Sequence, residues 1–379
     1  MAATISQSSS SIDWVAQADS IAQRISQRAS EHDATDAFVA DNFALMKDRG
    51  FFKAHVPAEL GGHGADYGTI CAVVRRLAAA CGSTGLAYSM HTHLVALAAW
   101  RWRHEDAPTD GLLKRVAAED LIMISSGGSD WLKSTGTAVR VEGGFIINAR
   151  KIFASGCPAG DLLMTSAVYE DPEAGPTVLH FAVSFKAPGV AILDTWRVMG
   201  MRGTGSNDVA LKDVFVPDAS IAGRRPQGKW HPLFHAISML AFPIIYSAYV
   251  GVAESARQLA LEIARKKPVD EGLVHSVGEM ETTFACAEIA SADMIRIAEN
   301  ERPGPSTTSR VMMRRTMVAK STIGTVERAM EVVGGSSFYR NLGLERAFRD
   351  VQAARFHPLQ EKPQFRYSGR IALGLDLDG

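Results

Sequence analysis

Apolar positions recur at three- and four-residue spacing through the first third of the chain. They mark one helical face from Ile12 to Ala29 and another from Asp36 to Arg49. The turn-rich segment VPAELGGHGADYG, Val56 to Gly68, breaks the period. Helical spacing resumes from Thr69 to Ala80 and from Gly85 to Trp102, with a break at Cys81 to Thr84. From about Leu121 to Pro226 the period falls to two. Thr137 to Val141 alternates, Glu142-Gly143-Gly144 supplies a turn, and Phe145 to Ala149 resumes, which predicts a hairpin. Asp161 to Val168 and Val178 to Ser184 are further strands, separated by the loop EDPEAGPT. Val209 to Val216 is another, closed by Pro217. From about Trp230 the helical period returns. Ile245, Ala248, Tyr249, Val252, Ala256, Leu259 and Ile263 share one face; Ile323, Val326, Met330 and Val333 share another. No internal repeat is evident.

A helix–strand–helix order in three blocks predicts an α+β architecture. The composition shifts suggest helical domains over 1–120 and 229–379 flanking a β-domain over 121–228. A chain of 379 residues is long enough for several packed subdomains. Forty basic residues face 41 acidic ones, and a net charge of -1 gives no reason to expect nucleic acid or an anionic membrane as partner. The long apolar run from Ala236 to Ala253 is broken by Ser, Pro and Tyr, which suits a buried helix better than a membrane span. Cys71, Cys81, Cys157 and Cys286 are scattered, with no CxxC spacing and no His cluster, so neither a metal site nor a disulfide framework is expected. The opening MAATISQSSSSIDW has no basic region followed by an apolar run, and a cytoplasmic location is expected.

The familiar chemical loops are absent: no GxGxxG after a strand, no GxxxxGK[ST], no GxSxG and no HExxH. Four local constellations remain. ISSGGSD, Ile124 to Asp130, combines small residues and hydroxyls where backbone N–H groups can approach a ligand. KIFASGCPAGD, Lys151 to Asp161, places Phe153 and Ser155 two residues apart, on one face of a strand. WRVMGMRGTGSNDVALKDVFVP, Trp196 to Pro217, is a Gly-rich turn before an alternating strand. VVGGSSFYR, Val332 to Arg340, ends a helical face with two glycines, which is also an ordinary helix stop.

Together with VPAELGGHGAD, these segments resemble the acyl-CoA dehydrogenase superfamily, in the right order over nearly the whole chain; MGMRGTGSNDVALKDVFVP is the most specific stretch. The resemblance implies an N-terminal helical domain, a central β-barrel-like domain and a C-terminal four-helix bundle. It implies a homotetramer with a flavin, FMN or FAD, between β-domain and bundle. By position, Phe153 matches the aromatic residue beside the isoalloxazine and Ser155 the hydroxyl near the flavin N5. Ser125, Ser126, Gly128 and Ser129 match the segment that contacts the cofactor, although it lacks the usual Thr-Glu-Pro. Gly334 and Gly335 match a Gly pair that approaches the cofactor across a subunit interface, with Glu331 where Gln is usual. ARKKPVDE, Ala264 to Glu271, replaces the family's Arg-x-x-Phe-Gly, so FMN and FAD are not separated.

A dehydrogenase of this family needs a carboxylate in an apolar pocket to take a proton α to a thioester carbonyl. The two places where the family carries that Glu fall at Pro358 and Ala241, and neither is a carboxylate. Glu361, three residues beyond Pro358, is the displaced alternative. That alternative is an acyl-CoA dehydrogenase passing electrons to an electron-transfer flavoprotein. The chain is more similar to the flavin-dependent monooxygenase branch of the fold, of the dibenzothiophene monooxygenase type. His91, Ser155 and His357 fall on that branch's pocket histidines and serine, with His93 two residues further round the helix. Two imidazoles and a hydroxyl suit oxygen chemistry on a reduced flavin, where a His moves protons. The branch takes its reduced flavin from a separate reductase and acts on a small, fairly apolar substrate.

Overall fold

Asp13 starts the first helix. Its carboxylate accepts the Ala16 N–H at 2.9 Å, and α1 runs from Trp14 to Thr35. The computed structural model describes residues 12–126, 128 and 131–378. The helix expected from Asp36 is shorter, because Asp36 takes a left-handed conformation (φ 56°) at the end of α1 and pairs with Arg202 at 2.6 Å. Accordingly α2 covers only Ala40–Asp48. Asp66 caps α3 (Tyr67–Ala80) by accepting the Thr69 N–H at 2.7 Å. The predicted break before the next helix narrows to Cys81, which is extended, and α4 spans Gly82–Glu105. The short α5 (Asp110–Glu119) completes the first helical block.

Among the described residues eight strands follow: β1 (Met123–Ser125), β2 (Thr137–Val141), β3 (Gly144–Lys151), β4 (Leu162–Asp171), β5 (Gly175–Ser184), β6 (Val190–Leu193), β7 (Asp208–Pro217) and β8 (Ile221–Pro226). They form one sheet of order β6-β7-β3-β2-β4-β5-β8, with β1 beside β4. Among the described residues β6 and β8 are the ends of this path. The predicted β2–β3 hairpin is present; it turns at Gly143 (φ 74°), with Val141 opposite Gly144 and Arg140 opposite Phe145. The expected loop EDPEAGPT is mostly strand: β4 and β5 pair up to Asp171 opposite Gly175, and the Asp171 carboxylate accepts the N–H groups of Glu173 and Ala174. Strands β1, β6 and β8 are short and carry no clean alternation, which is why the pattern missed them.

The C-terminal block holds α6 (Pro232–Ala264), α7 (Glu271–Asn300) and α8 (Pro305–Val333), followed by the shorter α9 (Leu344–Val351) and α10 (Glu361–Ala372). Proline opens both α6 and α8, where its missing N–H costs no bond. By length and composition α6 could cross a bilayer, yet nearly all of its apolar stretch is buried. It is the core helix, packed against α3, α4, α7 and α8.

The segment from Met199 to Asn207 is where the three blocks meet. The helical N-terminus reaches it through Ser83 Oγ, which accepts the Gly203 N–H at 3.2 Å, and through the Val39 N–H on the Gly203 carbonyl at 3.1 Å. The β-domain reaches it through the N–H groups of Ala154 and Gly156, donated to Asn207 and Thr204. From α9, Arg349 donates to the Met199 carbonyl at 2.8 Å, and the Asp350 carboxylate accepts the Met201 N–H.

Candidate active site

Strand β3 ends at Lys151, and the chain then turns rather than continuing as a strand. Phe153 sits in the left-handed region at φ 59°, a conformation that a bulky residue holds only when its surroundings enforce it. The residue is 51% exposed, and its ring meets Trp196 edge-on at 6.0 Å. Ser155 is buried. The expectation that Phe153 and Ser155 share a strand face is therefore corrected: the turn sends the ring outward and the hydroxyl inward.

Inside the turn lies a chain of hydroxyls. Ser155 Oγ is 2.7 Å from Ser206 Oγ, which is 2.7 Å from Thr204 Oγ1, and Thr204 donates to the Met201 carbonyl at 2.8 Å. The Asp350 carboxylate fixes Met201 from the other side. Asp350 is itself buried, and desolvation raises its pKa to about 6.

At the β-domain entry, Ser125 Oγ lies 3.7 Å from Met90 Sδ, and Ser126 donates to Thr165 Oγ1 at 2.7 Å. Space around Gly128 is open, with no atom within 4 Å of the place a Cβ would occupy. Ser129 lies outside the described residues. The Trp131 indole packs on Phe234 and Phe242 of α6, with ring centroids 4.8 and 6.0 Å away; its buried Nε1–H has no partner among the described residues. An exposed aromatic ring on a strained turn, a buried hydroxyl two residues on, an open glycine and an orphan donor are each features that a planar heterocycle with polar edges can use.

The histidines divide into two kinds. His91 is fully engaged: its Nε2 donates to the Phe52 carbonyl at 2.7 Å, and its Nδ1 accepts the Met123 N–H at 3.0 Å. It clamps α4 to β1 and keeps no ring nitrogen for a ligand, which departs from the expectation of a proton shuttle. His93 uses only Nδ1, on the Ser89 carbonyl at 3.0 Å, and so presents Nε2 as an acceptor. Burial lowers both to about 4. His357 Nε2 is 2.5 Å from the Tyr249 hydroxyl. Burial, the Arg315 charge and His93 push His357 down to about 3. Arg315 also holds the His357 segment in place, bonding the carbonyls of Ala354, Arg355 and His357 with its guanidinium over the Tyr246 ring. The fold thus brings His93, His357 and Tyr249 together between α4 and α6.

Ala241 and Pro358 are buried, and neither place offers a carboxylate. Glu361 points elsewhere. It is half-buried at the start of α10 and pairs with Lys320 at 3.0 Å. The Gly334–Gly335 segment follows α8, whose last carbonyls, Val332 and Val333, accept from Lys267 at 2.8 Å. Glu331 is exposed, as are Phe338 and Tyr339 at 84% and 69%. Among the described residues no group of three or more His, Cys, Asp or Glu side chains is placed to hold a metal ion.

Ser206, Thr204, Met201 and Asp350 were not foreseen as site residues. The first three lie in the most specific stretch of the sequence, and only contact geometry assigns them a task. Tyr249 read as a helix-face residue, and Arg315 gave no signal.

Family models match in sequence order: acyl-CoA dehydrogenase N-terminal domain over residues 16–119, middle domain over 125–214 and C-terminal domain over 244–361. The amino sugar nitrososynthase RubN8 of Streptomyces rubradiris is 31% identical over 94% of this chain and 88% of its own. The putative acyl-CoA dehydrogenase YdbM of Bacillus subtilis is 26% identical over 91% of this chain and 92% of its own. In solved structures the fold matches KijD3, in complex with FMN and an amino-keto sugar nucleotide, at a TM-score of 0.88 and 24% identity, over 97% of this chain and 94% of that one.

Proposed function

The chain belongs to the acyl-CoA dehydrogenase family and is a flavin-dependent oxidoreductase of that fold, and we propose that it is the oxygenase component of a two-component monooxygenase acting on a small amine. One observation carries the reading. Where the family's dehydrogenases need a carboxylate the chain has Ala241 and Pro358, and between α4 and α6 it has His93, His357 and Tyr249 instead. Bound reduced flavin would supply the electrons that activate O2. Phe153, Ser155, Ser125, Ser126 and Gly128, with Ser129, are the residues proposed to hold it, and the Gly334–Gly335 segment of a neighbouring subunit would complete the site.

The protein's own part is proton handling in a dry pocket. His93 Nε2 carries a lone pair and can take the proton that leaves the substrate nitrogen. The Tyr249 hydroxyl and His357 Nε2 are hydrogen-bonded at 2.5 Å, and this pair can return a proton to oxygen. A nitrogen is oxygenated through its lone pair, so the amine must bind uncharged. Two imidazoles held neutral, an arginine nearby and no carboxylate at either family base position favour the free base over the ammonium ion. The likeness to an amino sugar nitrososynthase supports nitrogen as the atom oxidised. A separate flavin reductase is the expected partner, the assembly is a homotetramer, and the location is cytoplasmic.

The test is an anaerobic mixture of protein and reduced FMN, mixed rapidly with oxygenated buffer and followed by absorbance. A transient band at the blue edge, appearing before oxidised flavin and shortened by a primary amine, supports the oxygenase. Immediate reoxidation without it, together with bleaching of bound FAD by an acyl-CoA that Glu361→Gln abolishes, returns the protein to the dehydrogenase class.

A further inference from the structure

The hydroxyl chain under Phe153 has a direction. A carbonyl oxygen only accepts, so the 2.8 Å contact between Thr204 Oγ1 and the Met201 carbonyl uses the single hydroxyl proton of Thr204. Thr204 Oγ1 must then accept from Ser206 at 2.7 Å, which uses the Ser206 proton. Ser206 Oγ must in turn accept from Ser155 at 2.7 Å. Ser155 is left with lone pairs and no proton to give. Any other arrangement would set two oxygens at hydrogen-bond distance with no proton between them.

The carbonyl that sets this direction is held on every side. Met201 is left-handed at φ 54°, and the Asp350 carboxylate accepts its N–H. Its carbonyl also receives Trp196 Nε1 at 3.2 Å and the Thr204 N–H at 3.1 Å. Gly200 lets the loop press onto α9; a Cβ there would lie 2.2 Å from the Arg349 carbonyl oxygen. The acceptor at the end of the chain cannot swing away.

We propose that this polarised chain makes Ser155 an obligate acceptor toward the flavin ring nitrogen N5, so that the site selects reduced flavin, whose N5 carries a proton, over oxidised flavin, whose N5 does not. The inference rests on the reading that Ser155 faces N5. Ser206 and Thr204 are then positioning residues. They touch no flavin themselves but decide which redox state the Ser155 oxygen welcomes. The arrangement suits an enzyme that takes reduced flavin from a partner and releases it oxidised.

The experiment compares dissociation constants of oxidised FMN and of dithionite-reduced FMN, measured anaerobically by protein fluorescence. Wild type should prefer reduced FMN. Thr204→Val and Ser206→Ala each free the Ser155 proton and should lower that preference about tenfold, the scale of one well-placed hydrogen bond. Thr204→Ser keeps the hydroxyl and should behave as wild type, which a loss of packing alone would not explain. Thermal melts report whether each variant is folded; should Thr204→Val not fold, Ser206→Ala decides. A wild type with no preference overturns the proposal. So does an unchanged preference in the Thr204 and Ser206 variants while Ser155→Ala alters it. If Ser155→Ala changes neither constant, Ser155 does not reach the flavin, and the reading beneath the proposal fails instead.

Discussion

His91 and His93 lie two residues apart on α4 and are both buried, yet they do opposite work. His91 satisfies the Phe52 carbonyl and the Met123 N–H, so removing its ring orphans two buried backbone groups. His91→Ala should cost about 3 kcal/mol or more in a denaturant titration, at 1–3 kcal/mol per orphaned group. His93 gives one nitrogen to Ser89 and keeps the other. His93→Ala should fold, bind reduced FMN as wild type does, and turn over an amine roughly a hundredfold more slowly, the contribution typical of a general base. Equal stability loss in both variants, with equal residual turnover, would refute the division. The sequence showed that a histidine pair lay on this helix but not which one was free. That depends on which backbone groups each ring meets, and Met123 and Phe52 come from segments 32 and 39 residues away.

At the level of elements, the blocks were legible because each has its own hydrophobic period. The Met199–Asn207 loop has none. It was visible only as a glycine-rich stretch resembling a family motif, and the structure supplies the physical reason for its composition. Gly200 and Gly203 lie where neighbouring elements press against the loop, and Gly205 (φ 53°) supplies a backbone turn that other residues rarely adopt. Gly200→Ala should therefore be severely destabilising, by about 3 kcal/mol or more, since the added methyl meets the backbone of α9 rather than a movable side chain. Gly335→Ala is the contrast: nothing lies within 4 Å of its Cβ position in one chain. It should leave the monomer's melting temperature unchanged, and any loss of FMN affinity would then report a neighbouring subunit at that site. The bundle offers a surface for such a neighbour. The Arg314–Asp293 pair at 2.7 Å ties α7 to α8, and Ile289 on α7 and Met317 on α8 are both exposed. Met317→Glu should shift the assembly toward smaller species in analytical ultracentrifugation if this face is covered in the oligomer, and leave it unchanged if it is not.

For the whole molecule, the buried titratable groups sit where the blocks join, and they oppose one another as pH falls. His91 and His93 are held near 4 against an ordinary 6.5, so between those values the unfolded chain takes up protons that the folded chain refuses. Stability is lost as pH falls through that window. Asp350 is held near 6 against an ordinary 3.8, so the folded chain keeps a proton there that the unfolded chain has released. Its contribution is present at low pH and is lost as pH rises through 6. At pH 5 the three histidines, His357 included, favour unfolding and Asp350 opposes it, which leaves a net of about two protons and a slope of roughly 2–3 kcal/mol per pH unit. Asp350→Asn separates the two effects. The amide oxygen can still accept the Met201 N–H, but no buried charge forms above pH 6. The variant should be more stable than wild type at pH 8, by on the order of 3 kcal/mol from the shift of its carboxyl, and should lose stability more steeply below pH 6. Denaturant unfolding of both proteins at pH 5, 6, 7 and 8 measures this directly. Parallel pH profiles would mean that Asp350 does not titrate in the folded chain, and that its hold on Met201 is that of a permanently charged group.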